Sequence, residues 1–521
     1  MNIRRIYLAV IVILSASLFY QWNDEGRVAA QSKHMEIAKS ESFINAVTED
    51  GDYVYLENGL LRLKIAINSG AIVESRLKEY SVENIPGSLG VRVFGSDEKN
   101  GFFKYYFKSG FTSEITNYKL LDYGQGSVTL YDESLGIKKE ISFLPETYEV
   151  QVTDSALNGS SGKAFASLYR TDGMSLDLKT EMTQGGMMNR SSYQAVAFST
   201  SDDPYETQRL RGLDERISFL SRGGWVSFIQ KYFFAAVIGS NDYVYNYFAQ
   251  PGDAGLYSMG YTVEKGDAQN LVYTHEHRIF IGPKIRKDLE KRAPNLELSI
   301  DMGWFWFISQ PMVRVLDWIN GFVGNWGLSI VIFTLLLKLL LFPVTAKGFV
   351  AMGNMRKVMP KMKELQDRYA NDRQKLSQEM MVLYKKEGAN PLGGCLPMLA
   401  QMPFFIGFFF ALREMVELRF ADFGLWITDL SVPDPLFILP VVFGLIMVLT
   451  QKLNPQPPTQ DPMQAQIMKS MPIMFAVFFV VFPAGLCLYS VVNAGVSLVQ
   501  QRYLYKKLGV LGDAYIGGGR G

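Results

Sequence analysis

Two hydrophobic rhythms divide the chain. From Tyr53 onward apolar and polar positions alternate, as in Leu61, Leu63, Ile65 and Ile67 with Arg62 and Lys64 between them, which is the two-residue period of a half-buried strand. Similar short runs recur at Ser127 to Tyr131 and Tyr148 to Val152, separated by Gly, Asn and Asp turns. They predict an antiparallel β-sandwich domain over 40–300. Beyond residue 320 the alternation gives way to apolar runs at about 323–343, 395–416, 435–451, 467–482 and 485–504, the pattern of a helical membrane core over 322–505. Between the two regions Trp304, Phe305, Trp306 and Phe307 lead into Pro311, with Arg314 and Asp317 as the only nearby charges. Aromatic entry and sparse charge predict an amphipathic helix over 302–320 lying in the membrane interface.

The first residues, MNIRRIYLAVIVILSASLFYQW, set Arg4 and Arg5 before an apolar stretch that ends at Tyr20 and Trp22. This is a signal sequence or a signal anchor. Small-residue cleavage sites exist at Ser15-Ala16-Ser17 and Val28-Ala29-Ala30, whereas the aromatic pair suits a helix over 1–22 that stays in the membrane. With the anchor retained, the expectation is six transmembrane helices.

Charge then orients them. Between Val344 and Pro391 stand Lys347, Arg356, Lys357, Lys361, Lys363, Arg368, Arg373, Lys375, Lys385 and Lys386, and the tail over 506–521 begins with Lys506 and Lys507; the stretch Glu417 to Asp434 holds only Arg419. An excess of Lys and Arg marks the cytoplasmic side. Both termini and the 344–391 segment are therefore expected inside and the β-domain outside. Within 344–391, Met352, Met355, Met359 and Met362, then Leu376, Met380 and Leu383, recur at helical spacing around an Asn371-Asp372 break. An antiparallel helical hairpin with apolar inner faces and a basic surface follows.

Composition narrows the chemistry. A net charge of +1 over 521 residues gives no global field for nucleic acid. Cys395 and Cys487 both fall in the apolar half, which excludes a disulfide framework for the β-domain. His275 and His277 share a face if Tyr273 to Ile281 is a strand, with no third metal ligand near in sequence, and Gly159 to Lys163 (GSSGK) reads as a turn. The residues indicate neither an enzyme nor a cofactor.

One charge stands where the pattern should forbid it. Lys338 lies among six leucines in LLLKLLLFPVT, and a lysine at the centre of a bilayer costs roughly 2.5–3.5 kcal/mol. Thr334 is one turn away on the same face, and Ser490, Asn493, Ser497 and Gln500 draw a polar stripe along the last span. Facing each other, these would line a hydrated groove. Alternatively the stem of Lys338 snorkels toward the inner headgroups, a reading that leaves the stripe unexplained.

FVGNWG (322–327), the Lys-Leu-Leu-Leu-Phe-Pro run, SQEMMVLYKKEGANPLGGCLPMLAQMP (377–403), DPMQAQIMKSMP (461–472) and FPAGLCLY (482–489) occur in that order. In these segments the chain resembles the bacterial YidC-type membrane protein insertases, densely over 302–505, with FISQP and the IGPK of 281–284 extending the likeness. The resemblance implies an anchor, a periplasmic β-supersandwich, a cytoplasmic hairpin and a five-helix core. It implies insertion and folding of nascent inner-membrane proteins, alone or with the Sec translocon, with ribosomes, a signal recognition receptor and membrane lipids as partners. By position Lys338 takes the place of the family's groove residue, often arginine, and Thr334 matches the threonine one turn earlier. Tyr489, Ser490 and Asn493 complete the expected groove, although Ser490 replaces a residue usually aromatic in the family. An apolar slide is expected at Pro397, Met402, Pro403, Phe475 and Phe479. Ribosome or targeting contacts are expected at Lys357, Lys361, Lys363, Arg368, Arg373 and Lys385. Two other classes compete: a secondary transporter with an extracytoplasmic capture domain, against which the spans show no inverted repeat, and an envelope-assembly protein acting through its β-domain.

Overall fold

The computed structural model describes residues 49–85, 87–95, 105–111, 116–124, 126–157, 163–171, 195–252, 255–263, 272–300, 302–303, 305–369, 372–387, 396–454 and 462–511. The expected anchor at 1–22 and residues 512–521 of the tail lie outside them. The alternating half forms strands from Glu49–Asp50 to Val272–Pro283, followed by a short helix α1 (Arg286–Arg292). The apolar half forms α2 (Trp306–Val323), α3 (Trp326–Arg368), α4 (Arg373–Lys386), α5 (Leu396–Glu414), α6 (Ile438–Leu453), α7 (Pro462–Phe479) and α8 (Ala484–Lys507).

The strands do not separate into the two sheets of a sandwich. All seventeen described strands belong to one hydrogen-bonded antiparallel sheet, curled so that it encloses its own core. Long strands make this possible. In Phe233–Pro251 the first part, Phe233 to Ile238, pairs with Val272–Pro283, and the last part, Tyr245 to Pro251, pairs with Leu256–Val263. The residues between them, Asn241 to Val244, are exposed. One strand thus serves two regions of the sheet, as corner strands do where sheets switch direction. The expected alternation holds in detail: Leu61, Leu63 and Ile65 are buried while Arg62 and Lys64 are half-exposed.

The sheet's interior also holds charges that the alternation does not announce. Lys139 and Asp154 are both fully buried, Nζ to Oδ1 2.6 Å, and Asp154 Oδ2 accepts from Ser109 Oγ at 2.6 Å and faces His277 Nε2 at 3.2 Å. His277 Nδ1 lies 3.0 Å from the Tyr261 hydroxyl, and the His275 ring sits 4.7 Å from that of His277. Burial alone would raise the Asp154 carboxyl, but the adjacent Lys139 ammonium and His277 hold it well below the usual carboxylate range. Burial pushes His275 down to about 3. The strand placing both histidines on one face is present; His277 joins the buried ion-pair network while His275 packs against the rings of Tyr243, Tyr245 and Tyr261, and no cluster of metal-ligating side chains occurs among the described residues.

Helix α2 begins and ends later than its expected 302–320. Its Ser309, Met312, Val313, Leu316 and Ile319 are buried while Trp306, Phe307, Trp318 and Phe322 are exposed. Gly407 lets it approach α5 closely: a Cβ there would lie 3.3 Å from Ser309 Oγ, which donates to the Gly407 carbonyl at 2.9 Å.

The hairpin is not a separate insertion between spans. Helix α3 runs unbroken from the first core span through the hairpin's first arm, across Pro343 and Pro360. A proline inside a helix removes one backbone donor and strains the turn before it. Apolar continuity and packing of α3 against α8 and α4 outweigh that cost. Among the described helices α3 alone is long and apolar enough to cross a membrane; Ile438–Leu453 and the Lys469–Phe479 part of α7 are apolar but shorter. Six spans are therefore not displayed.

Candidate functional site

Three helices meet around Lys338. Its side chain is only 2% exposed, and its ammonium donates to Ser497 Oγ on α8 at 2.6 Å and to Gln401 Oε1 on α5 at 3.1 Å. The Ser497 hydroxyl in turn donates to the Asn493 carbonyl at 2.8 Å. The ammonium thus lies inward, between helices, rather than out among headgroups as snorkelling requires. Two neutral oxygens occupy positions around the ammonium where the expected groove would have placed water. Its opposite side, α3's outer face, carries the exposed Leu335, Leu336, Leu339 and Leu340. Polar partners on one side and an apolar surface on the other make the lysine tolerable in this helix.

The remaining expected groove residues divide into two layers. Thr334 is buried with its hydroxyl bonded to the Ile330 carbonyl at 2.6 Å, and Ser490 likewise to Leu486 at 2.8 Å. Neither hydroxyl points at Lys338. Tyr489 is buried with its ring 4.7 Å from Phe408 and 6.2 Å from Phe405, and Phe408 stacks on Phe333 at 5.0 Å. Phe333, Phe408 and Tyr489 come from the same three helices as Lys338, Gln401 and Ser497. Each lies nearer the sheet, by roughly 7–12 Å at 1.5 Å per residue. An aromatic layer thus closes the site toward the sheet, and the polar layer lies beneath it.

On the expected slide, Met402 is exposed and Pro403 and Phe475 are half-buried. Phe479 is buried instead, its ring 4.5 Å from Phe443 and 5.3 Å from Phe482, because its helix turn faces α6. The exposed apolar face of α7 is carried by Met471, Met474 and Phe478, with Ile467 and Ile473 beside it. The Pro397 side chain lies outside the described ones. In the hairpin, Lys357, Lys361, Lys363, Arg368 and Lys385 are exposed, with Lys361 paired to Glu387 at 2.7 Å; the Arg373 side chain is likewise not described. Val358 and Met362 form the hairpin's inner contact with Met355, Met380, Leu383 and Tyr384.

Sequence reasoning missed Gln401 and Arg356. Gln401 is a lone amide in the apolar run LPMLAQMP, and only its place two turns before Phe408 on the lysine side would have marked it. Arg356, one of the basic residues assigned to the hairpin surface, is buried; it donates to the Val510 carbonyl at 3.0 Å and lies 5.5 Å from the Tyr505 ring centre.

Two family models cover most of the chain: "60Kd inner membrane protein" matches residues 318–509 and "YidC periplasmic domain" matches residues 54–315. The "Membrane protein insertase YidC" of Hahella chejuensis is 38% identical over 500 residues, covering 90% of this chain and 85% of the relative. The chain belongs to the YidC family of membrane protein insertases. A second relative of the same name, from Azotobacter vinelandii, is 34% identical over 565 residues, covering 98% of this chain and 99% of its own length. A solved structure titled "Active YidC insertase crystal structure with the first transmembrane domain resolved" is 18% identical, covers 91% of this chain and 98% of its own, and has a TM-score of 0.41. The periplasmic-domain model covers the curled sheet from residue 54 on, α1 and the start of α2, and the inner-membrane model covers the helices from the end of α2 to α8.

Proposed function

We propose that this insertase moves the polar end of a nascent membrane protein along the α3, α5 and α8 junction, using the Lys338 ammonium as its attractive charge. The observation that carries the reading is the ammonium's pairing with Ser497 and Gln401 across three helices. A neutral hydroxyl and a neutral amide satisfy a cation at rest, and a carboxylate of a client outcompetes either one. Thr334, Ser490 and Asn493 keep the polar stripe compact. The Phe333, Phe408 and Tyr489 layer blocks passage until a client is present. The client's apolar segment travels on Met402, Pro403, Phe475 and the outward face of α7, then partitions into lipid. Transfer of roughly twenty apolar residues supplies the free energy without a nucleotide.

In this reading an N-terminal anchor and five core helices give six spans, with both termini cytoplasmic. The anchor occupies 1–22, the periplasmic domain 40–300, the interfacial helix 306–323, the core 326–505 with its hairpin at 344–391, and the tail 506–521. The exposed basic residues of the hairpin, Lys357, Lys361, Lys363, Arg368, Arg373 and Lys385, receive the ribosome or a targeting receptor, and the Sec translocon is a partner for larger clients. Photo-crosslinking from position 338 to a ribosome-stalled single-span client tests the groove: adducts at the client's translocated segment support it. Adducts confined to position 474 on α7, with none at 338, would place the client outside it.

A further inference from the structure

The turn between strands Ala71–Ser81 and Gly90–Phe94 plays no part in the groove, yet it exposes Ile85 (51%) and Leu89 (62%). Its base is fastened to the helical half. Arg419 donates to the Ser81 carbonyl at 2.7 Å and to the Val82 carbonyl at 3.1 Å, and Asn84 donates to the Thr428 carbonyl at 3.5 Å. Three residues from Thr428, Leu425 is 90% exposed and has a φ of +63°. A leucine in the left-handed region is costly, and a large apolar side chain held out in water returns nothing for it. The segment is nonetheless well built. Gly424 N–H donates to Asp422 Oδ1 at 2.6 Å, Trp426 Nε1 donates to Asp434 Oδ1 at 2.9 Å, and the Asn325 amide donates to the Asp422 carbonyl at 3.0 Å. The same segment continues through the exposed Leu436 and Phe437 into α6, whose outer face shows Val441 and Leu445.

We propose that Ile85, Leu89 and Leu425 form a foot that rests in the bilayer interface on the sheet's side of the membrane, so that the periplasmic sheet is seated on lipid as well as on the helices. The occupant is lipid because the segment that carries Leu425 runs on through the exposed Leu436 and Phe437 into the outward apolar face of α6. The polar ties to Arg419 and Asn84 also hold the turn at the level where α6 and α3 begin. Side chains without charge at that level gain by leaving water for the headgroup and upper acyl region. The inference rests on α3 and α6 spanning the membrane.

The test uses the full chain with Cys395 and Cys487 replaced by alanine, reconstituted in phosphatidylethanolamine and phosphatidylglycerol liposomes. A nitroxide is placed at one introduced cysteine at a time: Leu89→Cys, Ile85→Cys or Leu425→Cys for the foot, Leu445→Cys as lipid reference and Leu121→Cys on another exposed strand as water reference. Oxygen and a water-soluble nickel chelate report accessibility. The foot positions should shift from the Leu121→Cys ratio toward the oxygen-rich ratio of Leu445→Cys. Foot positions that match Leu121→Cys while Leu445→Cys remains in lipid overturn the foot alone. A water-like Leu445→Cys overturns the spanning reading beneath it, and a lipid-like Leu121→Cys also overturns the foot, since contact would then be general to the sheet.

Discussion

Replacing Lys338 with alanine removes a buried ammonium from between Ser497 Oγ at 2.6 Å and Gln401 Oε1 at 3.1 Å. A client carboxylate that takes the place of Gln401 at a similar distance gains about 5 kcal/mol of gross attraction at an effective dielectric of ~20. Against this stand the displaced hydrogen bond, about 1.5–3 kcal/mol, and the desolvation of the carboxylate. The residue is on the order of 1 kcal/mol, or five- to tenfold in rate. The assay follows one single-span client whose translocated tail is neutral or carries two aspartates, scored by protease protection in vesicles. Lys338→Ala should slow the acidic tail by about that factor relative to the neutral one. Lys338→Arg should retain the preference, and Lys338→Glu should be worse than alanine. Equal rates for the two tails in both the parent and Lys338→Ala would refute a groove charge and leave Lys338 a packing residue.

Three further outcomes are expected. The sheet should lose stability as pH falls below about 6.5, because His275 is held neutral with its pKa pushed down to about 3 while the unfolded chain takes up the proton; the slope reaches about 1.4 kcal/mol per pH unit. His277, also lowered by burial, shares the upper part of the acid limb, and Asp154, depressed in the fold, adds its own loss only below its ordinary value of 3.8, so His275→Phe should make the upper part shallower in thermal melts and leave the lower part. Arg356→Ala should free the hairpin arm of α3 from the segment that follows α8, read as faster proteolysis of the hairpin with the groove's client crosslinks unchanged; unchanged cleavage would show that the Val510 contact does not hold it. Deleting Lys357 to Lys385 should abolish insertion from ribosome-bound chains with the remaining helices still folded, and normal insertion by that deletion would remove the docking role.

The strands were legible because burial on one face writes a period of two into the sequence, as in Leu61, Leu63 and Ile65. The curl was not, since a strand such as Phe233–Pro251 shares itself between two regions through pairing that leaves no local mark. Lys338 was legible as an anomaly in an apolar run, and Ser497 as part of a stripe. Gln401 was not, because one amide among leucines and methionines has no period. The face of Phe479 was not legible: from Met471 to Phe479 α7 is apolar all round, so hydrophobicity cannot say which side meets α6. Arg356 was read as surface for the converse reason, since charge alone marks solvent unless a carbonyl such as that of Val510 waits inside the fold.

The unbroken run of α3 makes the first core span and the hairpin's first arm a single lever. At 1.5 Å per residue it is roughly 64 Å long, about twice the hydrocarbon thickness of a bilayer. Pro343, the weakest turn along it near the membrane, stands about 7 Å from Lys338 and about 37 Å from Arg368. The arms are in a ratio of roughly five to one. With Pro343 as fulcrum and rigid arms on either side, a swing of several ångströms at the hairpin tip would move the ammonium by about one, enough to break its contact with Gln401 and too little to unpack the helix. On the proposed docking role of the hairpin, a load at the tip would thereby be geared down into a small, forceful adjustment at the lysine.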